Sequence, residues 1–179
     1  MSQKVLLNAK EVNIILHRLA CQLIENHNDF SNTVLVGIQP RGKYLANRLA
    51  QMLRQEYKVK NVQLGHLDIT FFRDDFRRSE KPLEANTTEI NFLVENKKVV
   101  FIDDVLYTGR SIRAALTAIQ SFGRPNEIEL LTLIDRRFSR HLPIQPNYKG
   151  RQVDAINKEK VIVHWKEEQG EDAVYLINN

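Results

Sequence analysis

Lys98 to Leu116 reads KVVFIDDVLYTGRSIRAAL. Val99, Val100, Phe101 and Ile102 are an unbroken apolar run, the pattern of a strand buried on both faces of a parallel sheet. Ile112, Ala115, Leu116, Ile119 and Phe122 recur at helical spacing, so a helix follows. Between them lies a turn, Asp103-Asp104-Val105-Leu106-Tyr107-Thr108-Gly109-Arg110-Ser111. This order puts two adjacent carboxylates at the carboxyl end of a central strand, where open α/β sheets place ligands. Thr108, Gly109 and Ser111 open the helix. The free N–H groups there, reinforced by the helix dipole, form an anion site, and Gly109 lets the backbone approach a phosphate. An Asp pair can also simply cap a helix, and Thr-Gly can be an ordinary turn. The whole string is more specific than either part. Two acids for sugar hydroxyls beside a phosphate cradle describe a pocket for a ribose 5-phosphate.

Upstream, Thr33–Ile38 reads as a core strand, followed by Gln39-Pro40-Arg41-Gly42-Lys43 and a helix built on Leu45, Leu49, Met52 and Leu53. A tight loop with Gly, Arg and Lys at a strand's carboxyl end makes a polyanion site, or a routine turn with solvated cations. Residues 62–69 alternate as a strand. Arg73 to Pro82 is then almost all charge, which reads as solvated surface or as a lid closing over a ligand, with Arg73 the best phosphate contact and Arg77 and Arg78 behind it. Residues 83–97 are expected to return as a strand or loop anchored by Ile90, Phe92 and Leu93. Downstream, Gly123-Arg124-Pro125 stops the signature helix. Ile128, Leu130, Leu131, Leu133 and Ile134 form the next strand, whose end puts Asp135 and Arg136 at the crevice or in a salt bridge.

At the amino-terminal side, Asn8 and Glu11 are spaced as a capping box for a helix over 9–27, with Val12, Ile15, Leu16, Leu19 and Leu23 on one face. His17 and His27 could touch a partner, but isolated histidines are more often solvated, so they are expected in solvent. In the tail, 142–151 holds too many turn residues for a regular element. Residues 161–165 and 174–177 read as paired strands, expected to cap the open edge of the sheet where a base would dock.

The 179 residues, 42% hydrophobic, suffice for one domain with a sizeable core. No linker or repeat divides residues 1–179. Cys21 is alone, which excludes an internal disulfide and suits a reducing compartment. No apolar run is long enough for a membrane span and no signal peptide is visible, so a cytoplasmic protein is expected. The charge of +4 and a pI near 9.2 are compatible with phosphate-rich ligands or RNA. No Ser-His-Asp set, HExxH or CxxC motif is present.

The 98–116 string resembles the PRPP-binding signature of type I phosphoribosyltransferases, where PRPP is 5-phosphoribosyl 1-pyrophosphate. LVGIQPRGKYLANRL, LDITFFRDD, GRPNEIEL and LPIQPNYKG extend the resemblance to the PyrR family of pyrimidine-operon attenuators, from the first helix to Val163. The resemblance implies an α/β, mostly parallel sheet flanked by helices, a lid over about 73–87 and a small cap, or hood, over about 138–179. It implies that UMP is made from uracil and PRPP, with Mg²⁺ carried by PRPP and no direct protein ligand. It also implies binding of leader mRNA in response to uridine nucleotides, and a homo-oligomer, dimer or tetramer. A sensing pocket with little catalysis, or another base as substrate, remain the alternatives.

By the same resemblance, Asp103 and Asp104 with Arg73 are catalytic. Pro40, Arg41, Gly42, Asp103 to Ser111, Asp135, Arg136 and Val161 hold PRPP or the nucleotide. Arg18, Arg140, Lys149 and Arg151 are the candidate RNA contacts. The family often has a non-proline cis peptide before the loop arginine, here the Pro40–Arg41 bond. Hypoxanthine–guanine enzymes carry an acid where Tyr107 stands; a phenol with a pKa of about 10 is a poor base, which argues for uracil over a purine. The chain departs from the family at Pro40, commonly Thr, and at Arg137–His141, one residue longer. It is neutral at Asn26 and Gln145, basic in the family.

Overall fold

The structure, a computed structural model, describes residues 3–74, 85–155 and 159–178. Most of the expected lid, including Arg77 and Arg78, lies outside the described residues.

Five parallel strands make the central sheet. They are β2 (Thr33–Ile38), β3 (Gln63–Leu67), β4 (Lys98–Leu106), β5 (Glu127–Arg136) and β6 (Tyr148–Val153). The order is β3-β2-β4-β5-β6, so the signature strand β4 is central, as its apolar run requires. It is longer than expected. Its ladder with β5 continues through Asp103↔Thr132 to Leu106↔Asp135, so both acids lie in the strand and the turn shrinks to Tyr107–Gly109. The helix α3 (Arg110–Ala118) follows, tightening into a 3₁₀ turn over Ile119–Phe122 before Gly123.

On the other face lie α1 (Ala9–His27) and α2 (Gly42–Gln55). The capping box of α1 is complete: Asn8 Oδ1 accepts the Glu11 N–H at 3.0 Å, and Glu11 accepts the Asn8 N–H at 2.8 Å. Two apolar clusters fill the layers on either side of the sheet, one under α1 and α2 and one under α3. Residues 85–97 return as a loop, with a single antiparallel bridge between His66 and Glu89.

Two expectations fail here. His27 is buried, not solvated: Nδ1 lies 3.1 Å from the Thr33 hydroxyl, and Nε2 lies 3.1 Å from the Tyr148 hydroxyl and 3.0 Å from Glu129. Tyr148–Val153 is a strand despite its turn-rich approach. Asn147 pairs with Leu130 through both its amide N–H and its side chain, which starts the ladder that local composition conceals.

A second sheet has the order β1-β8-β7, antiparallel, from β1 (Gln3–Leu7), β7 (Glu159–His164) and β8 (Ala173–Asn178). The tail pair therefore recruits the first described strand. A short helix α4 (Lys166–Gln169) links β7 to β8. Arg48 of α2 docks this hood: its guanidinium stacks over buried Trp165 at 4.9 Å and bonds both Asp172 and Glu167. No helix among the described residues is long and apolar enough to cross a membrane.

Candidate active site

Successive strand residues point to opposite faces, and the adjacent acids have separate surroundings. Asp103 lines a cavity of about 180 Å³ together with Arg73 and the run Val105–Ile112. Asp104 turns toward the β2–α2 loop, where its Oδ2 accepts from Arg41 Nε at 2.8 Å. Both are buried. Burial pushes the Asp103 carboxyl well above the ordinary carboxylate range, and the charge of Asp104 pushes the same way. Burial also raises Asp104, against the pull of Arg41.

The β2–α2 loop is fitted tightly to β4. A Cβ on Gly42 would lie 2.3 Å from the Ile102 carbonyl oxygen and 3.0 Å from Asp103 Cα, so only glycine lets the helix start here. Arg41 also donates to the Val163 carbonyl, so one guanidinium joins Asp104 to the hood. The cis bond of the loop is Gln39–Pro40, one residue before the expected Pro40–Arg41; a prolyl amide has a far smaller trans preference than other peptide bonds. Pro40 itself is exposed.

The turn after β4 has Gly109 at φ 91°, a left-handed residue that opens α3. Thr108 Oγ1 accepts the Arg110 N–H at 3.4 Å, and the Thr108 carbonyl accepts the His141 N–H at 3.0 Å. Asp135 and Arg136 end β5 beside it. The Arg136 guanidinium lies 3.9 Å from the Tyr107 ring centre and donates to the Glu159 carbonyl, while its buried Nε has no hydrogen-bond partner. Asp135 pairs with Arg140 at 2.5 Å and faces a larger groove of about 730 Å³. Val161 is half-buried on β7, paired with Leu176.

The expected site residues thus gather at one end of the sheet but not in one cavity. Arg73, Asp103 and 105–111 share the small cavity. Arg41 and Gly42 sit behind it with Asp104, and Asp135 opens onto the groove. The candidate RNA contacts are held internally in three cases. Arg18 donates to the Lys149 and Gly150 carbonyls, Arg151 to the Leu6 carbonyl, and Arg140 to Asp135 and the Tyr107 carbonyl; Lys149 is exposed.

Three contacts were not foreseen. Buried Asp68 accepts from the Thr70 amide and hydroxyl on one side of the charged segment and from the Asn86 amide on the other. The Asp-x-Thr spacing, which favours side-chain-to-backbone bonding, is the signal that could have found it. Gln39 Nε2 donates to the Thr87 carbonyl at 2.6 Å. Asp74 bonds Arg110 and Arg113 of α3, and these hold its carboxyl down to about 2.

The phosphoribosyl transferase domain family matches residues 2–168, so fold and site define a phosphoribosyltransferase. A protein of Enterococcus faecalis named "Bifunctional protein pyrR" is 39% identical over 176 residues, 98% of this chain and 97% of its own. One of Gloeothece citriformis, "Bifunctional protein PyrR", is 43% identical over 172 residues, 96% of each chain. The chain belongs to the PyrR family. Among solved structures, the hypoxanthine phosphoribosyltransferase of Trypanosoma cruzi is similar at a TM-score of 0.72, 14% identity and coverage of 98% and 96%. That of Staphylococcus aureus is similar at 0.69, 20% identity and coverage of 98% and 92%. At these identities the likeness concerns the fold.

Proposed function

We propose that the protein is a cytoplasmic uracil phosphoribosyltransferase making UMP and pyrophosphate from uracil and PRPP. The observation that carries this is the small cavity, in which a buried acid and an arginine face a glycine-bearing turn at the start of a helix. Asp103 and Asp104 bind the ribose hydroxyls. Thr108 to Ser111 hold the 5-phosphate by N–H and hydroxyl groups. Arg41 and Arg73 take the pyrophosphate. The C1–pyrophosphate bond breaks as uracil N1 bonds to C1 and gives up its proton to the departing pyrophosphate or to water, through an oxocarbenium-like state, and these groups position the reactants and stabilise charge. Among the described residues no cluster of three or more His, Cys, Asp or Glu could hold a metal. A Mg²⁺ ion carried by PRPP would be held mainly by substrate oxygens and water, near Asp103 and Asp104, and would neutralise pyrophosphate charge.

The hood, the region from about 138 onward joined by β1, covers the base. Val161 and the Arg136–Tyr107 stack border it. The phenol of Tyr107 offers a purine no general base, which favours uracil. Incubation with uracil, PRPP and Mg²⁺ should yield UMP, and hypoxanthine should yield no nucleotide. Absence of UMP while PRPP binds would refute the catalytic reading.

A second role, binding leader mRNA under control of uridine nucleotides as a dimer or tetramer, is favoured by the relatives' name "bifunctional" and by exposed Lys149 on the edge strand. A gel shift with a pyrimidine-gene leader RNA should strengthen with UMP; no effect at moderate salt would remove this role.

A further inference from the structure

We propose that Arg140 is a positioning residue for the phosphate turn, fixing from outside the direction in which that turn's N–H groups point. The inference rests on the reading of 108–111 as the 5-phosphate site.

In a trans peptide the C=O of one residue and the N–H of the next point in opposite directions. Arg140 donates one nitrogen to the Tyr107 carbonyl, and the neighbouring His141 N–H donates to the Thr108 carbonyl. Two successive carbonyls of the turn are therefore drawn toward the 140–141 segment. The two N–H groups that follow, those of Thr108 and Gly109, are turned away from it.

The cavities show what lies on each side. Arg140 lines the large groove beside Asp135, Lys149 and Gln152. It does not line the small cavity, whose wall includes Thr108, Gly109, Ser111, Asp103 and Arg73. Arg140 grips the Tyr107 carbonyl from the groove side and His141 holds the next carbonyl beside it, which aims the N–H pair toward the cavity side, the arrangement an anion needs.

Arg140 is itself held in place. Its second terminal nitrogen bonds Asp135 Oδ1, and Asp135 is buried and stands in register with Leu106. One planar guanidinium thus spans the carboxyl ends of β4 and β5, where a fork of fixed geometry serves better than a flexible ammonium. Tyr107 is held twice, by its carbonyl through Arg140 and by its ring beneath Arg136.

Isothermal titration of ribose 5-phosphate and, separately, of magnesium pyrophosphate into wild-type protein, Arg140→Ala and Arg140→Lys tests this. Ribose 5-phosphate needs the 108–111 turn, whereas pyrophosphate is assigned to Arg41 and Arg73. The expected result is about tenfold weaker ribose 5-phosphate binding in Arg140→Ala, as for loss of hydrogen bonds from a charged donor, with pyrophosphate unchanged within about twofold. Arg140→Lys, which can serve one acceptor at a time, should fall between and carries the comparison if the alanine variant does not fold. Unchanged ribose 5-phosphate affinity, or equal weakening of both ligands, would overturn the proposal. Failure of the wild type to bind ribose 5-phosphate would instead overturn the phosphate-site reading and this inference with it.

Discussion

The guanidinium of Arg41 lies 2.8 Å from the carboxylate of Asp104 and also donates to the carbonyl of Val163. The β2–α2 loop, β4 and the hood therefore meet at one side chain. Arg41→Ala should cost about a hundredfold in kcat/KM for UMP formation, the scale on which a lost charge-stabilising donor acts. Because Arg41 is 39% exposed, the stability loss should stay near about 1 kcal/mol despite the burial of its partner. Steady-state kinetics with a urea melt would check both. A lysine, with one compact head, should not restore the double contact.

Asp103 governs how the unliganded protein responds to pH. Its carboxyl is raised by burial and by Asp104, whereas in the unfolded chain it titrates near about 4. Between those values the native state binds more protons, so stability is full below about pH 4 and falls as pH rises through the folded value. Asp103→Asn removes that loss. Urea melts from pH 4 to 8 should show the variant more stable than wild type at neutral pH and the gap closing toward pH 4, while UMP formation is lost.

At the opposite end of the sheet, His27 titrates with the other sign. Burial lowers its pKa despite Glu129, so its contribution is present above about 6.5, the unfolded value, and is lost as pH falls toward the folded one. Tyr148→Phe removes a hydroxyl that donates to Glu129 at 2.8 Å and accepts from Asn26 at 3.1 Å. It should cost about 1–3 kcal/mol in a urea melt and leave the KM for PRPP unchanged.

Gly42→Ala pushes a methyl group into the Ile102 carbonyl and toward the backbone of Asp103. Neither neighbour is a flexible tip that could swing aside. A loss of about 2–4 kcal/mol is expected from denaturant melts, together with weaker PRPP binding.

The elements legible in the sequence were those with a local cause. Apolar continuity marked β4, and the Asn8–Glu11 spacing marked the start of α1. The acids, the turn and Arg41 were legible because a strand end, a glycine and a cation stand next to one another in the chain. What stayed hidden depends on distant partners. Only Tyr148 and Val153 of β6 are buried, so the strand exists because β5 offers it a ladder rather than because of its own alternation. His27 looked like a surface residue until Tyr148 and Glu129 arrived from strands far along the chain. Arg140 reads in the sequence as a candidate RNA contact, since neither of its acceptors can be inferred from its neighbours.

The pairing of β1 with β8 sets an order of events. Gln3–Leu7 is translated before every strand of the large sheet, yet its partner, Ala173–Asn178, is translated only after all of them. The parallel sheet and its acids can be assembled while Arg41 still lacks the carbonyl of Val163 from the adjoining strand. A nascent chain would thus carry the Tyr107–Gly109 turn before its hood was closed, and the link from Arg41 to Val163 would come as a late step of biosynthesis.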